Sequence, residues 1–118
     1  MAQLRTQKLA EEYTTYRNTW TEETGCVLCT CDVAKEFTYW KICPAKFPYD
    51  LIASRHDMLL PKRHVTENGL TDAEHAEYLD IKRNHLSDYE FVVEGTSHTQ
   101  TVPQHFHQHL LVMKKIPE

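Results

Sequence analysis

The run His105-Phe106-His107-Gln108-His109-Leu110-Leu111-Val112 places a histidine at every second position and then turns apolar. Period two is the repeat of a β-strand. On one strand the three imidazoles share a face, while Phe106, Gln108, Leu110 and Val112 turn toward a core. Imidazole titrates near neutral pH, ligates transition metals and can act as a nucleophile. The run therefore predicts a strand with chemistry on one side and packing on the other. A purification tag would be contiguous and terminal, whereas these histidines alternate with apolar residues.

The rest of the chain supplies a frame of limited size. Its 118 residues suffice for one domain with a single two-layer core. With 41% hydrophobic and 25% charged residues, the composition is that of a folded chain. A net charge of -4 argues against a general polyanion binder, so no nucleic-acid partner is expected. No apolar run reaches membrane-spanning length and the first residues lack a signal peptide's apolar stretch, which predicts a cytoplasmic protein with no membrane partner. In that compartment the 4 cysteines suggest metal or redox chemistry before structural disulfides.

Local patterns predict two main helices. Leu4, Leu9, Tyr13, Tyr16 and Trp20 form a narrow apolar stripe on an amphipathic helix from Gln3 to Trp20. Thr71-Asp72-Ala73-Glu74 has the form of a capping box, opening a second helix that runs to about Leu86. Strands are expected at Phe37–Ile42, within Leu51–Leu60 up to the stop at Pro61, at Tyr89–Val93 and at the histidine run. Without regular βαβ alternation, these elements favour an α+β domain built on an antiparallel sheet.

Cys26-x-x-Cys29 has the spacing of half a tetrahedral zinc site, although thioredoxin-like redox motifs share it. The helix that follows such a redox motif has no counterpart here. There is no second pair, so the remaining ligands must be histidines, with His64 and one member of the run as the natural candidates. Two buried thiols packing as small hydrophobes are the alternative. On an ideal strand, adjacent histidines of the run lie ~7 Å apart and the outer two ~13 Å apart. This spacing favours divided labour, in which one terminal histidine joins a metal or structural cluster, the central one does chemistry and the other orients it. Lys62 and Arg63 could meet a phosphate, but a solvated turn is the simpler expectation. Trp20 and Trp40 are expected in the core and Glu94 in solvent.

Three segments together resemble the histidine-triad (HIT) superfamily: Cys26-x-x-Cys29, His56-Asp57-Met58-Leu59-Leu60-Pro61-Lys62-Arg63-His64, and Gln100-Thr101-Val102 ahead of the histidine run. The resemblance spans Cys26 to about Val112. It implies a single domain over residues 1–118, with a HIT-like core at 26–113 and the helix at 1–20 outside the family pattern. It further implies a nucleotide-binding hydrolase or transferase acting at an α-phosphate, on a nucleoside phosphoramidate, a dinucleoside polyphosphate or a similar substrate. In that pattern His107 is the nucleophile that forms a nucleotidyl-histidine, and His56 is the fourth active-site histidine, near the phosphate and leaving group. His109 supports the site, and Gln100 and Thr101 touch phosphate oxygens. A zinc-bearing branch implies a structural ion held by Cys26, Cys29, His64 and His105, and family members are usually homodimers.

The chain departs from the pattern around the phosphate cradle. Pro103-Gln104 contains one extra residue, Gln108 replaces an apolar residue, Val93 stands for a common Asn or Gln, and Thr96-Ser97-His98-Thr99 replaces a glycine-rich approach. Those departures motivate a second reading, a zinc-stabilised nucleotide-binding or interaction module without catalysis. A third, in which His105 and His107 bind a catalytic ion in a cupin-like barrel, is disfavoured by only 3 glycines and two helix signals.

Overall fold

The structure is a computed structural model that describes residues 4–21, 25–96, 102 and 104–115. Five strands form an open antiparallel sheet: β1 (Lys35–Glu36), β2 (Trp40–Pro44), β3 (Ala53–Pro61), β4 (Phe91–Val93) and β5 (Gln108–Met113), in the order β1-β2-β3-β5-β4. Two α-helices, α1 (Gln7–Arg17) and α2 (Asp72–Asn84), and a 3-10 turn at Glu67–Gly69 complete the described elements. The expected α+β class is the observed one, and the open sheet leaves no place for a cupin-like barrel.

Register decides which residues reach which face. Pairing of Met58 with His109 and of His56 with Leu111 puts His56, Met58, Leu60, His109 and Leu111 on one side. Leu59 and Leu110 turn to the other side, where they pack with Trp40, Ile42, Tyr78, Ile81, Leu86 and Phe106 beneath α2. A second, smaller cluster of Leu28, Cys43 and Leu60 lies on the histidine side. The β3–β5 register shifts between Ala53 and Arg55, so Ser54 is an extra residue in the ladder just ahead of His56.

α2 begins as its sequence requires. The Thr71 hydroxyl accepts from the Glu74 amide and the Glu74 carboxylate accepts from the Thr71 amide, which closes the capping box. The same carboxylate takes two hydrogen bonds from Arg63, at 2.7 and 3.0 Å, and these bonds with the cap lower its pKa to about 2. Arg63 is thus engaged with α2, and Lys62 with Glu36 at 2.6 Å, so both basic side chains serve packing contacts rather than a free phosphate site. Trp40 is fully buried, with its indole N–H donating to the Glu74 carbonyl, as a core tryptophan should be.

Other expectations need correction. α1 starts at Gln7, where Thr6 caps it, and ends at Arg17, shorter than the Gln3–Trp20 stripe; none of its residues is fully buried. The first expected strand is displaced toward the C-terminus, because the Phe37 amide bonds the Trp40 carbonyl and closes the β1–β2 turn. Pro61 does not stop β3 but ends it as a paired residue opposite Trp40. β5 begins at Gln108, so His105 and His107 precede the strand. The His105 and His107 rings bond the Pro61 and His105 carbonyls, and the intervening Phe106 amide bonds the Val65 carbonyl rather than a strand partner. The side-to-side alternation nevertheless persists, with Phe106 in the core under α2.

The cysteines divide into two pairs. Cys31 and Cys43 form a disulfide with Cα atoms 6.2 Å apart, which ties the Cys26–Cys31 loop to β2. This corrects the expectation of metal or redox roles for all the cysteines. Cys43 is buried on β2 with its side chain directed at that loop, so proximity selects a bridge. Among the described residues no helix is long and apolar enough to cross a membrane.

Candidate active site and metal cluster

Cys26, Cys29, His64 and His105 bring four ligand atoms within 4.8 Å of one another. Cys26 Sγ lies 3.5 Å from His105 Nδ1, and Cys29 Sγ lies 3.5 Å from both His64 Nδ1 and His105 Nδ1. For a tetrahedral zinc ion with bonds of about 2.3 Å to sulfur and about 2.0 Å to nitrogen, the sulfur-to-nitrogen edge is about 3.5 Å. The donor set therefore fits such an ion in chemistry and in size. His105 is fully buried, and its Nε2–H donates to the Pro61 carbonyl at 2.8 Å, which leaves the Nδ1 lone pair facing the sulfurs. Burial lowers the His105 pKa and keeps the ring neutral. Lys41, buried on β2, donates to the Cys29 carbonyl at 3.2 Å and steadies the loop from beneath. Desolvation and the adjacent Cys26 sulfur raise the Cys29 thiol pKa, so a cation bound there would have to displace its proton.

His107 stands next to this cluster in the chain. Its Nδ1 lies 2.9 Å from the His105 carbonyl, an acceptor only, so Nδ1 carries a proton, and in the neutral ring Nε2 bears the lone pair. His107 is 7% exposed, buried without being sealed.

His56 and His109 form a separate pair. His56 Nε2 and His109 Nδ1 are 2.7 Å apart, and the rings of His107 and His109 meet edge to face at 5.2 Å. Burial, with the neighbouring cations or imidazoles, depresses the His56 pKa to about 4 and the His109 pKa to about 3, so both rings are neutral at pH 7. Tyr49 closes the pair. Its amide donates to His56 Nδ1 at 3.0 Å, and its hydroxyl lies 3.2 Å from His109 Nε2.

Several solved structures match this architecture. One is a histidine triad protein from Clostridium difficile, with 21% identity, TM-score 0.53, and coverage of 79% of this chain and 94% of that one. Another is a HIT family hydrolase from Legionella pneumophila Philadelphia 1, with 20% identity, TM-score 0.54, and coverage of 79% and 96%. The chain has the histidine-triad fold. No family model matches the sequence, and no curated protein does.

Within the histidine-triad fold, the expected site residues separate into two neighbouring groups. Cys26, Cys29, His64 and His105 form a cluster that could hold a metal ion, while His107, His109 and His56 form the histidine group beside it. Gln100 and Thr101 lie outside the described residues. Both ring nitrogens of His56, the residue expected near the leaving group, are engaged here by Tyr49 and His109. Tyr49 itself was not foreseen. Neither its type nor its spacing marks it, and only the turn ahead of β3 brings it back onto the histidines. Glu94 is exposed, as expected, whereas Trp20 is only half-buried and lies outside the core, packing edge-on against Tyr13 and Tyr16 because α1 itself buries no residue.

Proposed function

We propose that this protein is a nucleotide-binding hydrolase or nucleotidyl transferase that cleaves at an α-phosphate through a nucleotidyl-His107 intermediate. The observation that carries the reading is the His107 tautomer. With Nδ1–H held by the His105 carbonyl, the Nε2 lone pair is available to attack phosphorus. The P–N bond forms as the bond to the leaving group breaks, and the leaving group takes a proton from solvent water; the water that later attacks the nucleotidyl-histidine returns one to solvent. Water or another acceptor then takes the nucleotidyl group and returns His107 to its neutral form. The matching fold of a HIT family hydrolase supports the assignment.

The metal we assign is zinc, held by Cys26, Cys29, His64 and His105. When bound there it supplies cross-linking, since all four positions are protein ligands. His107 stays outside the ligand set. The ligand class is a small nucleotide, the compartment is the cytoplasm, and the assembly is a homodimer.

A second reading, binding without turnover, is favoured by the closure of His56 onto Tyr49 and His109. One experiment separates the two. A denaturing quench with radiolabelled adenylyl and guanylyl phosphoramidates should trap label on the wild-type protein and none on His107→Ala, with zinc retained in both. Calorimetric binding of AMP or GMP with no trapped label and no product would select the binding module. Full activity in His107→Ala would overturn the nucleophile assignment.

A further inference from the structure

A backbone N–H can only donate. The Tyr49 amide, 3.0 Å from His56 Nδ1, therefore requires a bare lone pair on that nitrogen, and the proton of neutral His56 must sit on Nε2. His56 Nε2–H then donates to His109 Nδ1 at 2.7 Å. That places the His109 proton on Nε2, where it donates to the Tyr49 hydroxyl oxygen at 3.2 Å. The direction of every bond in this closed circuit follows from one amide.

The geometry points to Tyr49 as a positioning residue of the histidine site: it grips both ends of the His56–His109 pair, fixes both rings as Nε2–H tautomers, and leaves its own hydroxyl proton for a phosphoryl oxygen of the ligand. The inference rests on the nucleotidyl-transfer reading for the identity of that ligand, and on geometry alone for the tautomers. The circuit does not conduct protons, because the amide at its origin does not ionise and so cannot pass its proton on. It is a fixed set of dipoles. His56 and His109 offer the ligand no spare nitrogen, so the hydroxyl is the polar group through which the pair can act.

Tyr49 is held for this task from behind. Its ring lies against His56 and His109, with centroids 4.4 and 5.0 Å away. The Arg5 guanidinium covers the Tyr49 ring at 4.9 Å while its Nε donates to the Phe47 carbonyl at 2.7 Å. Asp50 accepts from both the amide and the hydroxyl of Thr6, at 2.7 and 2.8 Å. The segment ahead of α1 thus clamps the turn that carries Tyr49, which gives the N-terminal extension a purpose.

The test combines ring ¹⁵N NMR with single-turnover nucleotidyl trapping on wild type and Tyr49→Phe. In the wild type, His56 and His109 should appear as Nε2–H tautomers and His107 as the Nδ1–H tautomer. Tyr49→Phe keeps the amide, so the His56 tautomer should persist while the His109 Nε2–H signal shifts. The trapping rate should fall about tenfold, the scale of one lost hydrogen bond, with KM little changed. A wild-type His109 in the Nδ1–H form overturns the inference, as does a variant with unaltered His109 signal and rate. Should Tyr49→Phe fail to fold, the wild-type tautomers alone decide. Failure to trap label on the wild type defeats the nucleotidyl reading and leaves the tautomer result to be judged separately.

Discussion

His107 gives its Nδ1 proton to the carbonyl of His105, 2.9 Å away, while the His105 ring faces the sulfurs of Cys26 and Cys29. One residue thus links the proposed metal cluster to the proposed nucleophile, through its side chain on one side and its backbone on the other. Metal removal should disturb His107 without touching it. His64→Ala, which removes an exposed ligand, should weaken metal affinity and slow nucleotidyl transfer together, and added zinc should restore both. Chelation should lower the melting temperature as well, because the bound ion stabilises only the folded form. Atomic absorption and thermal melts on the same samples check this. Undiminished activity after complete metal loss would remove the structural link.

The buried pair His56 and His109 sets a pH dependence with a definite sign. Both are depressed from 6.5, to about 4 and about 3. Below pH 6.5 the unfolded chain takes up protons that the folded chain refuses. Stability is therefore complete above 6.5 and falls as the pH drops through the window down to 4 and then 3. The loss should amount to a few kcal/mol by pH 4. NMR titration should show both rings unprotonated at pH 5.5, and denaturant unfolding should show the slope. Ring titration near 6.5 would contradict the burial argument.

Glu74→Gln should destabilise the fold by about 1–2 kcal/mol, because it weakens the α2 cap and the charge-assisted pair with Arg63. The loss should be independent of metal and nucleotide, since Glu74 belongs to the opposite side of the sheet. Urea denaturation of zinc-loaded wild type and variant measures it. An effect on activity at unchanged stability would show that Arg63 has a part in the site.

The double substitution Cys31→Ser with Cys43→Ala removes the tie between the Cys26–Cys31 loop and β2. A loop with sequence separation 12 should lose about 3 kcal/mol on opening. We expect a lower melting temperature together with faster zinc exchange from the loop. Thiol counting before and after denaturation, with and without reductant, establishes the pairing directly. Four free thiols in the native protein would refute the bridge.

The sequence conveyed those parts of the molecule that repeat or pair at fixed spacing. Thr71 and Glu74 announce the α2 cap because the capping box is local. The alternating histidines announce their sidedness because period two is a backbone property. Spacing pointed from Cys26 and Cys29 to His64 and one histidine of the run, the histidine-triad resemblance singled out His105, and the structure brings these four together. Tyr49 was not legible, since its amide and hydroxyl act on rings that only the β3–β5 register gathers. The Cys31–Cys43 bridge was hidden because a cysteine count does not say which thiols face each other. β5 starts later than the alternation suggests because the Phe106 amide bonds the Val65 carbonyl, a long-range contact that no local pattern marks.

The extra residue Ser54 in the β3–β5 ladder fixes the phase of all that follows it on β3. Moving the register by one position would carry His56 and Met58 into the greasy layer under α2 and expose Leu59 in their place. Such a chain would lose its chemistry and its core in one step. Shortening the strand at Ser54 is therefore a sharper probe of folding fidelity than any substitution of a histidine, since it tests whether the pleat alone remembers which side of the sheet is which.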